Sequence, residues 1–206
     1  LNYFVNDVSL RLYADDTTEY SSNFDPDALK ITVQENLDLF MTWCDYNFMT
    51  VNDSKSKVLP LGNSPSSFQF HTEPNSPPLD QVSDLKLLGL TINSSQTFKS
   101  HVKESCKKVN CKVAALRRVR KFIPQDVMIK IYKAFILPHL EYCSPVLVGL
   151  TPGLSQKLEI TNQYAIRTLL NVAKSTPYDE LLRLVDIKSL KQRRLISSLV
   201  LLYKCL

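Results

Sequence analysis

The stretch "LRLYADDTTEY" (residues 10–20) decides how the first part of the chain is read. Val8, Leu10, Leu12 and Ala14 recur at every second position, the period of a half-buried strand, and Ser9, Arg11, Tyr13 and Asp15 take the other face. Asp15-Asp16 supply turn chemistry, and Thr17, Thr18 and Tyr20 suit a returning strand, so the stretch predicts a β-hairpin with two adjacent carboxylates at its tip. Two such charges about 5 Å apart repel by roughly 3 kcal/mol at an effective dielectric near 20. One reading is a solvated acidic turn. The other is a site for a divalent cation, and hard carboxylate oxygens suit Mg2+ or Mn2+.

Downstream, Asp25-Pro26 forms an N-cap followed by proline at the first helical position. Leu29, Val33, Leu37, Phe40, Met41, Cys44 and Phe48 follow at helical spacing and predict a long amphipathic helix. A strand is expected near 57–61, then a Pro- and Ser-rich loop with at most a short strand at 68–70. "LKLLGLTIN" (85–93) reads as a buried strand interrupted by Gly89, the mark of a bulge or of close backbone approach. Beyond Phe98 the periodicity is helical, with helices predicted near 98–122, 125–137, 154–171, 178–185 and 189–204. A β-rich first part and an all-helical second part predict an α+β fold with a boundary near residue 94.

The 206 residues are 44% hydrophobic, enough for a core, and the net charge is +5. That charge is unevenly spread. Residues 99–121 hold nine Lys and Arg against Glu104 alone, a local surplus larger than that of the whole chain. An acidic partner such as nucleic acid is therefore indicated. On a helix, Phe98, Val102, Cys106, Val109, Val113 and Leu116 share one arc, and Lys99, Lys103, Lys107, Arg117, Arg118 and Lys121 share the neighbouring one. The basic arc either faces a phosphate backbone or is simply solvated.

Other chemistries fit poorly. The five cysteines form no C-x-x-C pair, and His101, Cys106 and Cys111, five apart, fan around a helix instead of converging on zinc. His139 and Cys143 read as local packing. Four glycines build no phosphate-cradling loop. No secretory signal and no membrane-length apolar run is visible, so an intracellular location is expected, with nucleus and cytoplasm not distinguished.

The "YADD" hairpin resembles the catalytic hairpin of reverse transcriptases, in the form typical of non-LTR (LINE-type) retrotransposons. "FVNDV" (4–8) resembles the segment that precedes it in that family, and "WCDYNFMTVNDSKSKVLPLG" (43–62) the next palm motif, with Asn52 and Lys55 at its hallmark positions. "LKLLGLTIN" resembles the primer-grip turn, centred on Leu88-Gly89, and "LPHLEYCSPV" (137–146) a stretch that follows the thumb helices. The matches run in family order along essentially the whole chain.

The resemblance implies the C-terminal half of a polymerase palm (1–93), a helical thumb (94–150) and a helical extension (151–206). It implies an RNA-directed DNA polymerase acting on an RNA template, a DNA primer and deoxynucleoside triphosphates, with two Mg2+ or Mn2+ ions. Asp15 would be the principal metal ligand and Asp16 its companion, with Tyr13 and Ala14 near the template–primer and incoming nucleotide. Lys55 would approach the triphosphate, or stand as a solvated loop lysine. The family also uses another metal-binding Asp on an earlier palm strand, together with fingers. Only 14 residues precede Asp15, and Asp7 belongs to the "FVNDV" segment. The expectation is a fragment, inactive by itself: part of a larger gene product, or a decayed copy. The alternative is a catalytically dead remnant that still binds nucleic acid.

Overall fold

Helix α1 (Pro26–Tyr46) begins where its cap dictates: Asp25 accepts the Asp27 N–H at 3.0 Å, and Pro26 occupies the first turn. The computed structural model that shows this describes residues 9–62 and 68–206; the "FVNDV" segment, with Val8 and Asp7, lies outside them. Elements run β1 (Ser9–Tyr13), β2 (Asp16–Tyr20), α1, β3 (Lys57–Val58), β4 (Asp80–Gln81), β5 (Asp84–Leu87), β6 (Leu90–Asn93), then α2 (Lys99–Val119), α3 (Gln125–Ile131), α4 (Leu137–Glu141), α5 (Pro152–Leu170), α6 (Tyr178–Leu184) and α7 (Leu190–Cys205). The fold is α+β, with three two-stranded sheets, β1–β2, β3–β4 and β5–β6, among the described residues. The chain divides into two compact units, one ending at Leu85 and one beginning at Lys86.

In the first unit, α1 and the Pro/Ser-rich loop are joined by a side-chain clamp. The Gln34 amide donates to the His71 carbonyl at 2.8 Å and accepts the His71 N–H at 3.0 Å. Phe68 and Phe70 form no strand, yet both are buried, with their rings stacked at 5.9 Å. The strand expected over 57–61 is only two residues long, pairs parallel with β4, and is held by a Lys57–Asp80 contact of 2.5 Å. The α1 face expected to be apolar is only partly covered. Cys44 is buried, whereas Phe48 lies beyond the helix end and is exposed.

The second unit has one continuous core. Val102, Cys106, Val109 and Val113 of α2 are buried with Leu158, Ala165, Ile166 and Leu169 of α5, Met128 and Tyr132, and Leu181 and Leu190 of the last two helices. Residues 94–150 and 151–206 therefore share a core. Strand β6 packs on α2 as well: Leu90 is buried, the Thr91 N–H donates to His101 Nδ1 at 3.4 Å, and its hydroxyl donates to Glu104 at 3.2 Å. The division between the two compact units falls within β5, and the composition turns helical near residue 94.

Between α3 and α4 the helix widens into a π-turn at Tyr132–Ile136. Pro138 follows two residues after its end, in the first turn of α4; it lacks an N–H, and its ring crowds the carbonyl four residues back, which an α-turn does not accommodate. A buried polar chain crosses this core. The Tyr132 hydroxyl donates to Asn162 Oδ1 (2.7 Å), the Asn162 amide to the Tyr178 hydroxyl (3.0 Å), and Tyr178 in turn to Glu159 (2.5 Å). Glu159 also accepts the Lys191 N–H at 2.8 Å and so caps the start of α7. Burial pushes the pKa of both tyrosines well up, which keeps their hydroxyls protonated donors.

Candidate functional site

The β1–β2 hairpin turns one residue earlier than its sequence suggests. Tyr13 pairs with Asp16 across the ladder, so Ala14 and Asp15 form the two-residue loop and Asp16 opens the returning strand. Ala14 takes a left-handed conformation, φ +53°. A two-residue hairpin needs a positive φ at its first loop position to match the strand twist, and alanine adopts it at a cost of about 1–2 kcal/mol. Such strain in a non-glycine residue gathers where geometry serves function.

Both carboxylates are exposed, and neither has a hydrogen-bond or ion-pair partner among the described residues. They match the hard-oxygen chemistry of Mg2+ or Mn2+, but two carboxylates fill only part of the roughly six-oxygen shell these ions take. Among the described residues no group of three or more His, Cys, Asp or Glu side chains comes together in metal-binding fashion.

The supposed apolar face of β1 is open at its end: Leu12 is 57% exposed. Across from Leu10 on that face stands Glu19. Its Oε1 is buried with no hydrogen-bond partner among the described residues, and burial raises its pKa to about 7. The "TTEY" run hides this residue, because a strand glutamate ordinarily faces water.

Lys55 is exposed in a turn organised by Asn52, whose carbonyl accepts the Lys55 N–H at 3.0 Å and whose side chain accepts the Ser54 hydroxyl at 2.6 Å. No hydrogen bond or ion pair joins Lys55 to Asp15 or Asp16.

In the second unit, "LKLLGLTIN" is a hairpin, not one interrupted strand. Leu88 (φ +46°) and Gly89 (φ +87°) form a two-residue turn with both φ angles positive. Close approach at Gly89 comes from within the chain: a Cβ there would meet the Tyr142 hydroxyl at 3.2 Å and its ring at 3.3 Å.

Helix α2 separates its cations cleanly. Lys108 pairs with Glu104 at 2.8 Å and holds that carboxyl below its usual range. Lys112 sits over the Phe135 ring at 3.8 Å and contacts His139, whose pKa burial and the nearby lysines push down. Arg120 reaches the Thr168 carbonyl and Asn171. The six cations of the basic arc behave differently. Lys99, Lys103, Lys107, Arg117, Arg118 and Lys121 are all exposed and make no ion pair or hydrogen bond among the described residues, though Lys121 lies 4.8 Å over Phe122. An unneutralised stripe of this length is suited to polyanion binding.

Among the described residues, no helix is long and apolar enough to cross a membrane. No family model matches the chain, and neither a curated protein nor a solved structure matches it.

Proposed function

We propose that the chain is the C-terminal part of a retrotransposon-type RNA-directed DNA polymerase, contributing the acidic palm hairpin, the primer-grip turn and a thumb that holds the template–primer. The observation that carries the reading is the hairpin tip. Tyr13 and Asp16 close a two-residue loop around a strained Ala14, and two exposed carboxylates stand beside one another with no hydrogen-bond or ion-pair partner among the described residues. A solvated turn gains nothing from that strain, whereas a site that presents two acids to a cation and a phosphate does.

In this reading Asp15 and Asp16 hold Mg2+ or Mn2+. Bound there, such ions would supply charge neutralisation and Lewis acidity toward the primer 3′-hydroxyl. Tyr13 and Ala14 line the approach of the template–primer and the incoming nucleotide, and Lys55 offers a positive charge to the triphosphate. Leu88 and Gly89 meet the primer strand. The exposed stripe of α2 runs along phosphates, which positions the duplex without reading its sequence.

The second reading is a remnant that binds nucleic acid without chemistry. Both readings require binding. The 206-residue chain is expected to bind an RNA–DNA hybrid at low salt, with log affinity falling against log salt at a slope of about −2 to −5 and little sequence preference. Absence of salt-dependent binding overturns both. Primer extension by the chain joined to a complete upstream palm and fingers separates them.

A further inference from the structure

We propose that Tyr142 is a positioning residue that fixes the Leu88-Gly89 turn in the shape that meets a nucleic-acid strand; this inference rests on the functional reading above. The turn's backbone needs an outside restraint. A two-residue turn with both φ angles positive is favoured by Asn-Gly or Asp-Gly, whose short polar side chain bonds locally to the backbone. Here the first position is leucine at φ +46°, which has no such side chain.

Tyr142 supplies the restraint from 54 residues away. Its hydroxyl donates to the Leu88 carbonyl, and its ring lies where a side chain at Gly89 would go. The glycine is thus required twice, by its φ of +87° and by the tyrosine ring against it. The Leu88 side chain remains 45% exposed, an apolar tip on a hairpin pinned through its backbone.

Tyr142 is itself held firmly. It follows the last residue of α4, Glu141, which forms an ion pair with Arg193 of α7, one contact being 3.0 Å. The next residue, Cys143, is left-handed at φ +55°, and the Ser144 N–H returns to the Glu141 carbonyl at 2.9 Å. The helical extension therefore reaches the turn through Arg193, Glu141 and Tyr142 in succession. This gives the "LEYCSP" segment (140–145) a physical task that its own composition does not disclose.

The test uses the whole 206-residue chain and an RNA–DNA hybrid whose primer strand carries 4-thiothymidine near its 3′ end. Irradiation of the unaltered protein is expected to crosslink the primer to the peptide spanning residues 84–93. Tyr142→Phe keeps the ring and removes only the hydroxyl. It is expected to lower that crosslink about 3- to 10-fold, the range set by one lost hydrogen bond, with overall affinity changed by less than about 2-fold because α2 supplies most of it. Gly89→Ala, which drives a methyl group into Tyr142, is expected to lower the crosslink with the tyrosine intact. A Tyr142→Phe yield equal to that of the unaltered protein overturns the inference. So does a crosslink that falls elsewhere in a chain that binds the hybrid; that result also removes the primer-grip role of Leu88-Gly89 and leaves the acidic hairpin and the thumb of the functional reading standing. Failure of the unaltered chain to bind the hybrid overturns the functional reading, and this inference with it.

Discussion

Tyr13 and Asp16 face one another as the last cross-strand pair of the acidic hairpin, which leaves Ala14 and Asp15 alone to reverse the chain. Ala14 accepts a φ of +53° there. Ala14→Val places a β-branched side chain in that conformation, where it is a genuine outlier. The variant is expected to lose about 1–3 kcal/mol in denaturant unfolding of the first unit, and Ala14→Gly to lose nothing or gain slightly. Equal stability of the valine variant would remove the strain from the account.

The two carboxylates make different demands. In a chain joined to an upstream palm and fingers, Asp15→Asn is expected to abolish primer extension and leave template binding nearly intact, since it removes a metal ligand and not a phosphate contact. Asp16→Asn is expected to be severe but milder. Extension assays alongside filter binding separate the two effects, and near-normal extension by Asp15→Asn refutes the metal role.

Salt dependence checks the basic stripe. Lys103, Lys107 and Arg118 are exposed and unneutralised among the described residues, whereas Lys108 is taken up by Glu104. Replacing the first three with Gln is expected to flatten the log–log salt slope by about two to three units. The single change Lys108→Gln is expected to alter it by less. An unchanged slope in the triple variant returns the stripe to solvent.

Glu19 makes the hairpin sensitive to pH. Burial raises its pKa from the usual 4.5 to about 7, so between these values the folded state binds a proton that the unfolded state has released. Stability from this group is full below about pH 4.5 and falls as pH rises to about 7, levelling above it. Glu19→Gln is expected to remove that slope and to raise the melting temperature at pH 8. Parallel pH profiles of the two proteins would refute the burial of a neutral acid.

The Tyr132–Asn162–Tyr178–Glu159 chain is a stability element of the second unit. Tyr132→Phe keeps the packing but leaves Asn162 Oδ1 without its buried donor. A loss of about 1–3 kcal/mol is expected in urea unfolding, with no change in the salt slope of nucleic-acid binding. A neutral effect would show that water replaces the hydroxyl.

Local signals in the sequence were sufficient for several elements. Asp25-Pro26 marks the start of α1 because capping is a contact between neighbours in the chain. The spacing from Val102 to Val113 marks the buried side of α2, because one apolar stripe at helical period admits few other solutions. The same spacing separates the six cations that make no ion pair or hydrogen bond among the described residues from Lys108, Lys112 and Arg120.

What only the tertiary structure decided depends on contacts between distant residues. Whether Ala14-Asp15 or Asp15-Asp16 turns the hairpin depends on ladder register, which a shift of one residue alters without changing the composition. The Glu19 Oε1 is buried by packing that its neighbours "TTEY" do not announce. Gly89 lies against Tyr142, and Gln34 grips His71, through closures of 53 and 37 residues whose outcome no local propensity sets. Local preference is expressed within a few residues along the chain. The register of a hairpin, the burial of a lone acid and the seating of a tyrosine on a turn are decided only when the folded surfaces meet.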